Sequence, residues 1–443
     1  MTDTPPESSA PSRRAGSRFL RLAGMTARIS SDVARDRWQR LWHRDEDRTA
    51  SDAALYSRIG RDIAQTLGEM KGAVMKVGQV VSQYRDVLPA ELVDALTPLQ
   101  KDSPPRPFAE LLPRLQQALG KDWRDHFSDI DETALASASI AQVHRARTRD
   151  GSAVVLKIQY PGVEEAIDSD LKQLRLALKI ARVLPVSGHL LDALFDEIRA
   201  SLERELDYGL EAMAIERFRQ FHADQPQVVI PAVIAPLSSR HVLTLSHEPG
   251  DPLSSLDARY DQDRRDALGR LLFDTLARQL YQLHCLHCDP HPGNFAARPD
   301  GSLVVYDFGC IKELPDTLVQ DYAALTRAAL AGDPAAVETG LIRLGARNTQ
   351  HAPSLPGDFY QPWLQLAGDV LADSPVDFAT MPLAEQVLRL SRKALPQWRA
   401  FQPVPDLVLV NRALGGHYWN LRLLGARIAM RPLLLPLATA PQS

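Results

Sequence analysis

The stretch His287-Cys288-Asp289-Pro290-His291-Pro292-Gly293-Asn294, followed by Asp307-Phe308-Gly309, constrains this chain more than any other feature. An aspartate and an asparagine stand five residues apart in a segment broken by proline and glycine, which reads as a loop. The run Leu303-Val304-Val305-Tyr306 then reads as a short strand that delivers Asp307 to the same region. A fold that brings these residues together offers hard oxygen donors of the kind Mg²⁺ prefers beside phosphates. It also offers a separate carboxylate able to accept or orient a proton. These are the parts that phosphoryl transfer needs. A lone Asp-Phe-Gly carries little weight, whereas His-x-Asp-x₄-Asn with a strand and Asp-Phe-Gly downstream is far more specific.

In protein kinases the loop aspartate takes the acid/base role, and the asparagine and the Asp-Phe-Gly aspartate hold the metal. That assigns Asp289 to catalysis, and Asn294 and Asp307 to Mg²⁺. Upstream, Ala153-Val154-Val155-Leu156-Lys157-Ile158 reads as a strand whose lysine meets nucleotide phosphates. The loop before it, Ala136-Ser137-Ala138-Ser139, stands where kinases carry glycines. Its small residues permit close backbone approach to ATP, but alanine denies it the left-handed conformations of glycine. Glu211, on the helix ASLERELDYGLEAMAIERF, is the candidate partner of Lys157, with Glu205 and Asp207 the other carboxylates of interest there. Lys76, Gly78 and Gln79 form a further cluster, where a mid-helix glycine costs up to about 1 kcal/mol relative to alanine.

A zinc site competes for the same window, because His284, Cys285, His287, Cys288, His291 and Cys310 are imidazole or thiol ligands. No second Cys-x-x-Cys or spaced His pair completes a tetrahedral set. Cys285 also fits the apolar side of a helix over LARQLYQLHCLH.

The rest of the chain bounds these readings. Its 443 residues allow about three domains, or one large two-lobed fold with extensions. Hydrophobic content of 45% and charged content of 24% are globular values. A net charge of −4 argues against a general nucleic-acid binder. Three cysteines argue against a disulfide scaffold and fit a reducing compartment. With a mean hydropathy of −0.21 and no long uninterrupted apolar stretch, no transmembrane helix is expected. The first residues lack the apolar core of a secretory signal. Residues 13–44 hold nine arginines against two aspartates, with Phe19, Leu22, Met25, Ile29, Val33, Trp38 and Leu41 at helical steps. That is a basic amphipathic helix, suited either to anionic lipid or to packing on its own protein.

Residues 133–160 carry β-branched runs around an Asp150-Gly151 hairpin turn. Short strands are expected within 227–246 and 302–307. Helix is expected over 164–222 with a break at Pro185–His189, over 262–287, and from about 315 onward. The class is α+β with two lobes.

Together, Lys76-x-Gly78-Gln79, ASASIAQVHRA, VVLKIQYPGV, ELDYGLEA, HCDPHPGN and DFG resemble the UbiB/AarF atypical protein-kinase-like family, whose better-studied members support ubiquinone biosynthesis. The tail NRALGGHYWNLRLLGARI is a weaker echo. The resemblance covers about residues 55–430. It implies a bilobal kinase-like fold: a tail and basic helix over 1–48, a helical extension over 49–125, an N-lobe over 126–250 and a C-lobe over 251–443. It implies Mg²⁺ and ATP, with Ala136, Ser137, Ala138, Ser139, Lys157, Ser246 and His247 contacting the nucleotide and Glu211 pairing with Lys157. It also implies that the helix of Lys76, Gly78 and Gln79 covers the protein-substrate site, with Lys76 facing Glu205 and Asp207, disfavouring protein phosphorylation in trans. Ala141 and Ser246 depart from the family's usual glycine and acidic residue. The implied activity is an ATPase supporting ubiquinone or other isoprenoid-lipid metabolism, with a quinone intermediate or quinone-biosynthesis proteins as partners. The implied location is cytoplasmic, with peripheral contact at the inner membrane face through 13–44. A small-molecule phosphotransferase and a non-catalytic nucleotide- or lipid-binding scaffold stay open as alternatives.

Overall fold

A computed structural model describes residues 105–165 and 188–439, apart from positions 139, 257, 258, 351, 353 and 403, together with a few isolated positions within 31–61 and 167–175. The basic helix over 13–44 and Lys76, Gly78 and Gln79 lie outside the described residues. The chain divides into two compact units. The first is Met1–Gly209 with Ile234–Leu245, and the second is Leu210–Val233 with Ser246–Ser443.

The first unit is built on long strands. β1 (Phe127–Ser137), β2 (Ala141–Thr148) and β3 (Ala153–Gln159) form an antiparallel meander, and β5 (Val242–Ser246) joins it in the order β1-β2-β3-β5. The Asp150-Gly151 turn forms as expected. Thr148 N donates to Ser152 O at 3.0 Å, and Gly151 takes the positive φ of +89° that a side chain resists. Alternation drives one face inward: Val154, Leu156 and Ile158 of β3 are buried. Leu111 and Leu115 are buried as well, the latter on α1 (Leu112–Leu119), which Gly120 ends at φ +89°. α2 (Gly188–Glu205) and the first two residues of α3 (Tyr208–Phe221) also belong to this unit. Because α2 starts at Gly188, His189 belongs to a helix and not to the expected break.

The second unit is mostly helical, and its strands are very short. β4 (Val228–Val229), β6 (Asp251–Pro252), β8 (Phe295–Ala297) and β9 (Leu303–Val305) form a sheet in the order β4-β9-β8-β6. β7 (Cys285–His287) pairs antiparallel with β10 (Ile311–Glu313), and His287 lies opposite Ile311. α4 (Gln262–Arg278) is capped by Asp261, whose side chain accepts from Arg264 N at 2.9 Å, and it runs into a π-turn over Gln279–Leu283. His284 then takes a left-handed φ of +54° and ends the helical run. Cys285 therefore stands on strand β7, which corrects the helix expected through 287. α5 (Asp316–Ala331), α6 (Pro334–Arg343), α7 (Gln361–Val370), α8 (Leu383–Ala394), α9 (Pro405–Leu424) and α10 (Arg431–Thr439) follow. The small ribbon of β11 (Val376–Asp377) and β12 (Arg427–Ile428) interrupts them. No helix of the described residues is long and apolar enough to cross a membrane.

Candidate active site

In the second unit the motif loop hangs between two strand pairs. Cys288 N donates to Cys310 O at 2.8 Å, extending the β7–β10 pairing past the loop's first residue. Tyr306 N donates to Asn294 O at 2.8 Å, continuing the β8–β9 ladder to the loop's far end. Asp289, Asn294 and Asp307 are thereby brought together, although 18 positions separate the first from the last. Asn294 Nδ2 donates to Asp289 Oδ2 at 2.8 Å and to the Asp289 carbonyl at 3.2 Å. With its nitrogen donating to Asp289, the amide oxygen of Asn294 is the atom that could hold a metal.

Asp307 is exposed and sits at φ +52°, in the left-handed region that aspartate tolerates better than most residues. Its Oδ1 accepts from Gly309 N at 3.1 Å. His287, almost wholly buried, donates from Nε2 to the Asp307 carbonyl at 2.8 Å. Phe308 points inward and is 2% exposed, 5.0 Å from the Phe218 ring of α3 and 5.1 Å from His287. Burial of this ring fixes the position of Asp307. Glu211 is buried in the first turn of α3, where the helix dipole favours an acid. A Cβ on Gly309 would stand 3.2 Å from Asp307 Oδ1 and 3.8 Å from Glu211 Oε2, so Glu211 lies beside the Asp-Phe-Gly turn.

The cysteines of the same window are poor ligands as they stand. Burial pushes the Cys285 thiol up to about 12 and raises Cys288 as well, so both are neutral thiols in the metal-free fold. Among the described residues, no group of three or more His, Cys, Asp or Glu is arranged to hold a metal ion. Asn294 and Asp307 supply one amide and one carboxylate oxygen. Such a pair suits Mg²⁺, which keeps several waters and takes phosphate oxygens from its nucleotide.

In the first unit, Ala136 and Ser137 end β1 opposite Val143 and Gln142. Ala138 N donates to Ala141 O at 2.8 Å and closes the turn of the hairpin. Ser139 lies outside the described residues. Lys157 stands on β3 opposite Val143, half-buried, with its Nζ 5.2 Å from the centroid of the Tyr208 ring. An ammonium over a tyrosine face gains about 0.5–2 kcal/mol, which orders the lysine. Asp207 accepts from Gly209 N at 2.9 Å at the start of α3 and lies 3.8 Å from Arg240 Nε. Glu205 is the last residue of α2.

Ser246 commits its hydroxyl within the second unit. It accepts from Ala232 N at 2.8 Å and donates to Glu248 Oε1 at 2.7 Å. His247 follows it, half-buried.

Two residues with ordering roles escape a reading of the sequence. Gln142, fully buried, accepts from Tyr160 Oη at 3.0 Å and from Arg106 N, and donates to the Arg106 carbonyl at 3.1 Å. It pins the hairpin from below. Arg412 of α9 places Nη2 3.1 Å from Asp289 Oδ1. In the sequence, α9 is marked by the weak family echo of its tail and by its Gly415-Gly416 pair, which lowers helix propensity in mid-helix.

With this geometry in hand, comparison with known proteins decides the family. The profile of the ABC1 atypical kinase-like domain matches residues 98–340, more than half of the chain. The chain belongs to that family. It is 29% identical over 422 residues to the atypical kinase coq-8, mitochondrial, of Caenorhabditis elegans, covering 93% of this chain and 55% of that protein. It is 27% identical over 391 residues to the atypical kinase COQ8, mitochondrial, of Saccharomyces cerevisiae, covering 87% of this chain and 77% of that protein. Among solved structures, the Rv3197–erythromycin complex from Mycobacterium tuberculosis matches with a TM-score of 0.65 and 27% identity, over 90% of this chain and all of that one. The fold is therefore α+β and protein-kinase-like, and the family is that of atypical kinases.

Proposed function

We propose that the chain is an atypical kinase-like ATPase that uses Mg-ATP and supports ubiquinone or other isoprenoid-lipid metabolism. The observation that carries this reading is the convergence of Asp289, Asn294 and Asp307, with Phe308 packed inward behind them. Asn294 and Asp307 would hold the Mg²⁺, whose contribution when bound is to neutralise charge on the phosphates. Asp289 takes the proton of the attacking oxygen as that oxygen bonds to the γ-phosphorus and ADP departs with the bridging oxygen. Lys157 contacts the α- and β-phosphates and pairs with Glu211. Ala136, Ser137, Ala138 and Ser139 cover the phosphates, while Ser246 and His247 meet the adenine through backbone groups.

The role proposed for Lys76, Gly78 and Gln79, with Glu205 and Asp207, is to keep protein substrates out. The partners are an isoprenoid lipid or quinone intermediate and the proteins that process it, at the inner membrane face with contact through 13–44. The names of the coq-8 relatives support this pathway assignment. A second reading, phosphotransfer to a small molecule, draws on the match to a protein whose structure is a complex with erythromycin, a polyhydroxylated ligand.

The deciding measurement is ADP release with Mg²⁺ in detergent micelles for wild type and Asp307→Asn. We expect turnover to fall by about 10²-fold or more, since removing one electrostatic stabiliser commonly costs that much. Equal turnover would sink the metal assignment. Stoichiometric phosphorylation of a soluble alcohol would favour the second reading, and unchanged quinones in a deletion strain would remove the lipid assignment.

A further inference from the structure

Helix α9 reaches the motif loop from 123 positions away in the sequence. It lies wholly beyond residue 340, where the family profile stops. Arg412 on this helix stands 3.1 Å from Asp289 Oδ1, and Asn294 donates to Oδ2 at 2.8 Å. Each carboxylate oxygen therefore has its own donor, and rotating the carboxylate breaks both contacts. The same helix holds the loop backbone as well. Asn420 Nδ2 donates to the Pro290 carbonyl at 2.9 Å, and Gly416 gives room to the Pro290 ring, which a Cβ would meet at 2.1 Å.

The Arg412–Asp289 pair is not what keeps α9 in place. Its side chains are 31% and 32% exposed, and ion pairs that wet contribute little to stability. Leu407, Val410, Ala413, Leu421 and Leu424 bury the helix without it. What the pair does supply is direction. A guanidinium is a rigid fork of donors with no acceptor, and it stays charged at any working pH. It can orient Asp289 but cannot take the proton in its place.

We infer that Arg412 is a positioning residue for phosphoryl transfer, holding the Asp289 carboxylate in the orientation its proton-accepting role needs. The inference rests on the proposed Mg-ATP chemistry and deepens it by adding a residue from outside the motif-bearing segment.

The test is a double-mutant cycle on the full chain, with Mg-ATP hydrolysis measured in detergent micelles for wild type, Arg412→Gln, Asp289→Asn and the double variant. Arg412→Lys is the conservative control. A positioning role predicts that Arg412→Gln lowers kcat by about 10²-fold, the cost of a misplaced reacting group. KM for ATP and the melting temperature stay at wild-type values. Arg412→Lys recovers part of the rate, because it restores charge without the fork. In the Asp289→Asn background, removing Arg412 costs nothing further, because it acts only through that carboxylate. Unchanged kcat in Arg412→Gln, a loss confined to KM, or full additivity in the cycle would overturn the inference while wild-type turnover stands. Absence of wild-type turnover would overturn the underlying reading, and the inference with it.

Discussion

The two units hold their candidate residues by different physics. In the first, Lys157, Ala136 and Ser137 stand on strands of 7–11 residues, so the backbone ladder sets their positions. In the second, Asp289, Asn294 and Asp307 hang from strands of three residues. Ladders that short are weak, and three-residue strands seldom stand alone. Position there depends on side chains: His287 on the Asp307 carbonyl, Phe308 against Phe218, and Asn420 on the Pro290 carbonyl. The first unit should therefore tolerate local change, whereas the second should transmit it to the site.

The sharpest way to break this contrast lies in adjacent glycines of α9. Gly416→Ala drives a Cβ to 2.1 Å from the Pro290 ring, which has to shift. Overpacking of this kind costs about 1–3 kcal/mol and outweighs the ~1 kcal/mol that alanine gains in helix propensity. Gly415 has open space around it, so Gly415→Ala keeps the propensity gain and stabilises. Thermal melts should move in opposite directions, and only Gly416→Ala should slow ATP turnover. Parallel shifts would remove the close packing on Pro290 from the account.

The next effect is pH-dependent and also belongs to the second unit. Burial, with the neighbouring His287 as a lesser cause, pushes His417 down to about 3. The folded state therefore refuses a proton that the unfolded chain accepts near pH 6.5. Stability contributed by keeping this ring neutral is intact above about pH 6.5. It is lost as pH falls toward 3, at up to roughly 1 kcal/mol per pH unit. Urea titrations from pH 7 to 4 should show a shallower acid limb for His417→Gln than for wild type. Identical limbs would mean that the ring is not held neutral.

The smallest effect on turnover is expected in the first unit. Gly151→Ala places a side chain at φ +89°, with nothing within 4 Å to clash. Only backbone strain remains, roughly 1–2 kcal/mol, confined to the far end of the hairpin. The melting temperature should drop while kcat holds. A fall in kcat would show that the sheet transmits strain as the second unit does, and the contrast would fail.

What could be read from the sequence follows the same division. The hairpin and Lys157's strand were legible because β-branched runs flank an Asp-Gly turn, a local signal. The motif residues were legible because their spacing is itself the chemistry. Cys285 reads as helical in the sequence because a buried three-residue strand and a buried helical turn share one apolar pattern. The residue that separates them, His284 at φ +54°, carries no compositional mark. The tail echo includes Arg412 but does not reveal its role, because a contact across 123 positions leaves no trace in local spacing.

The placement of α9 bears on how this domain can be dissected. A chain cut after residue 340 would keep every phosphotransfer motif and satisfy the family profile. It would lose one of the two donors to the Asp289 carboxylate, the donor to Pro290 and the imidazole packed against Phe295. Such a fragment would carry the full set of motif residues on a loop stripped of its back wall. Inactivity in a truncated form would then report on the missing wall and not on the chemistry of the motifs.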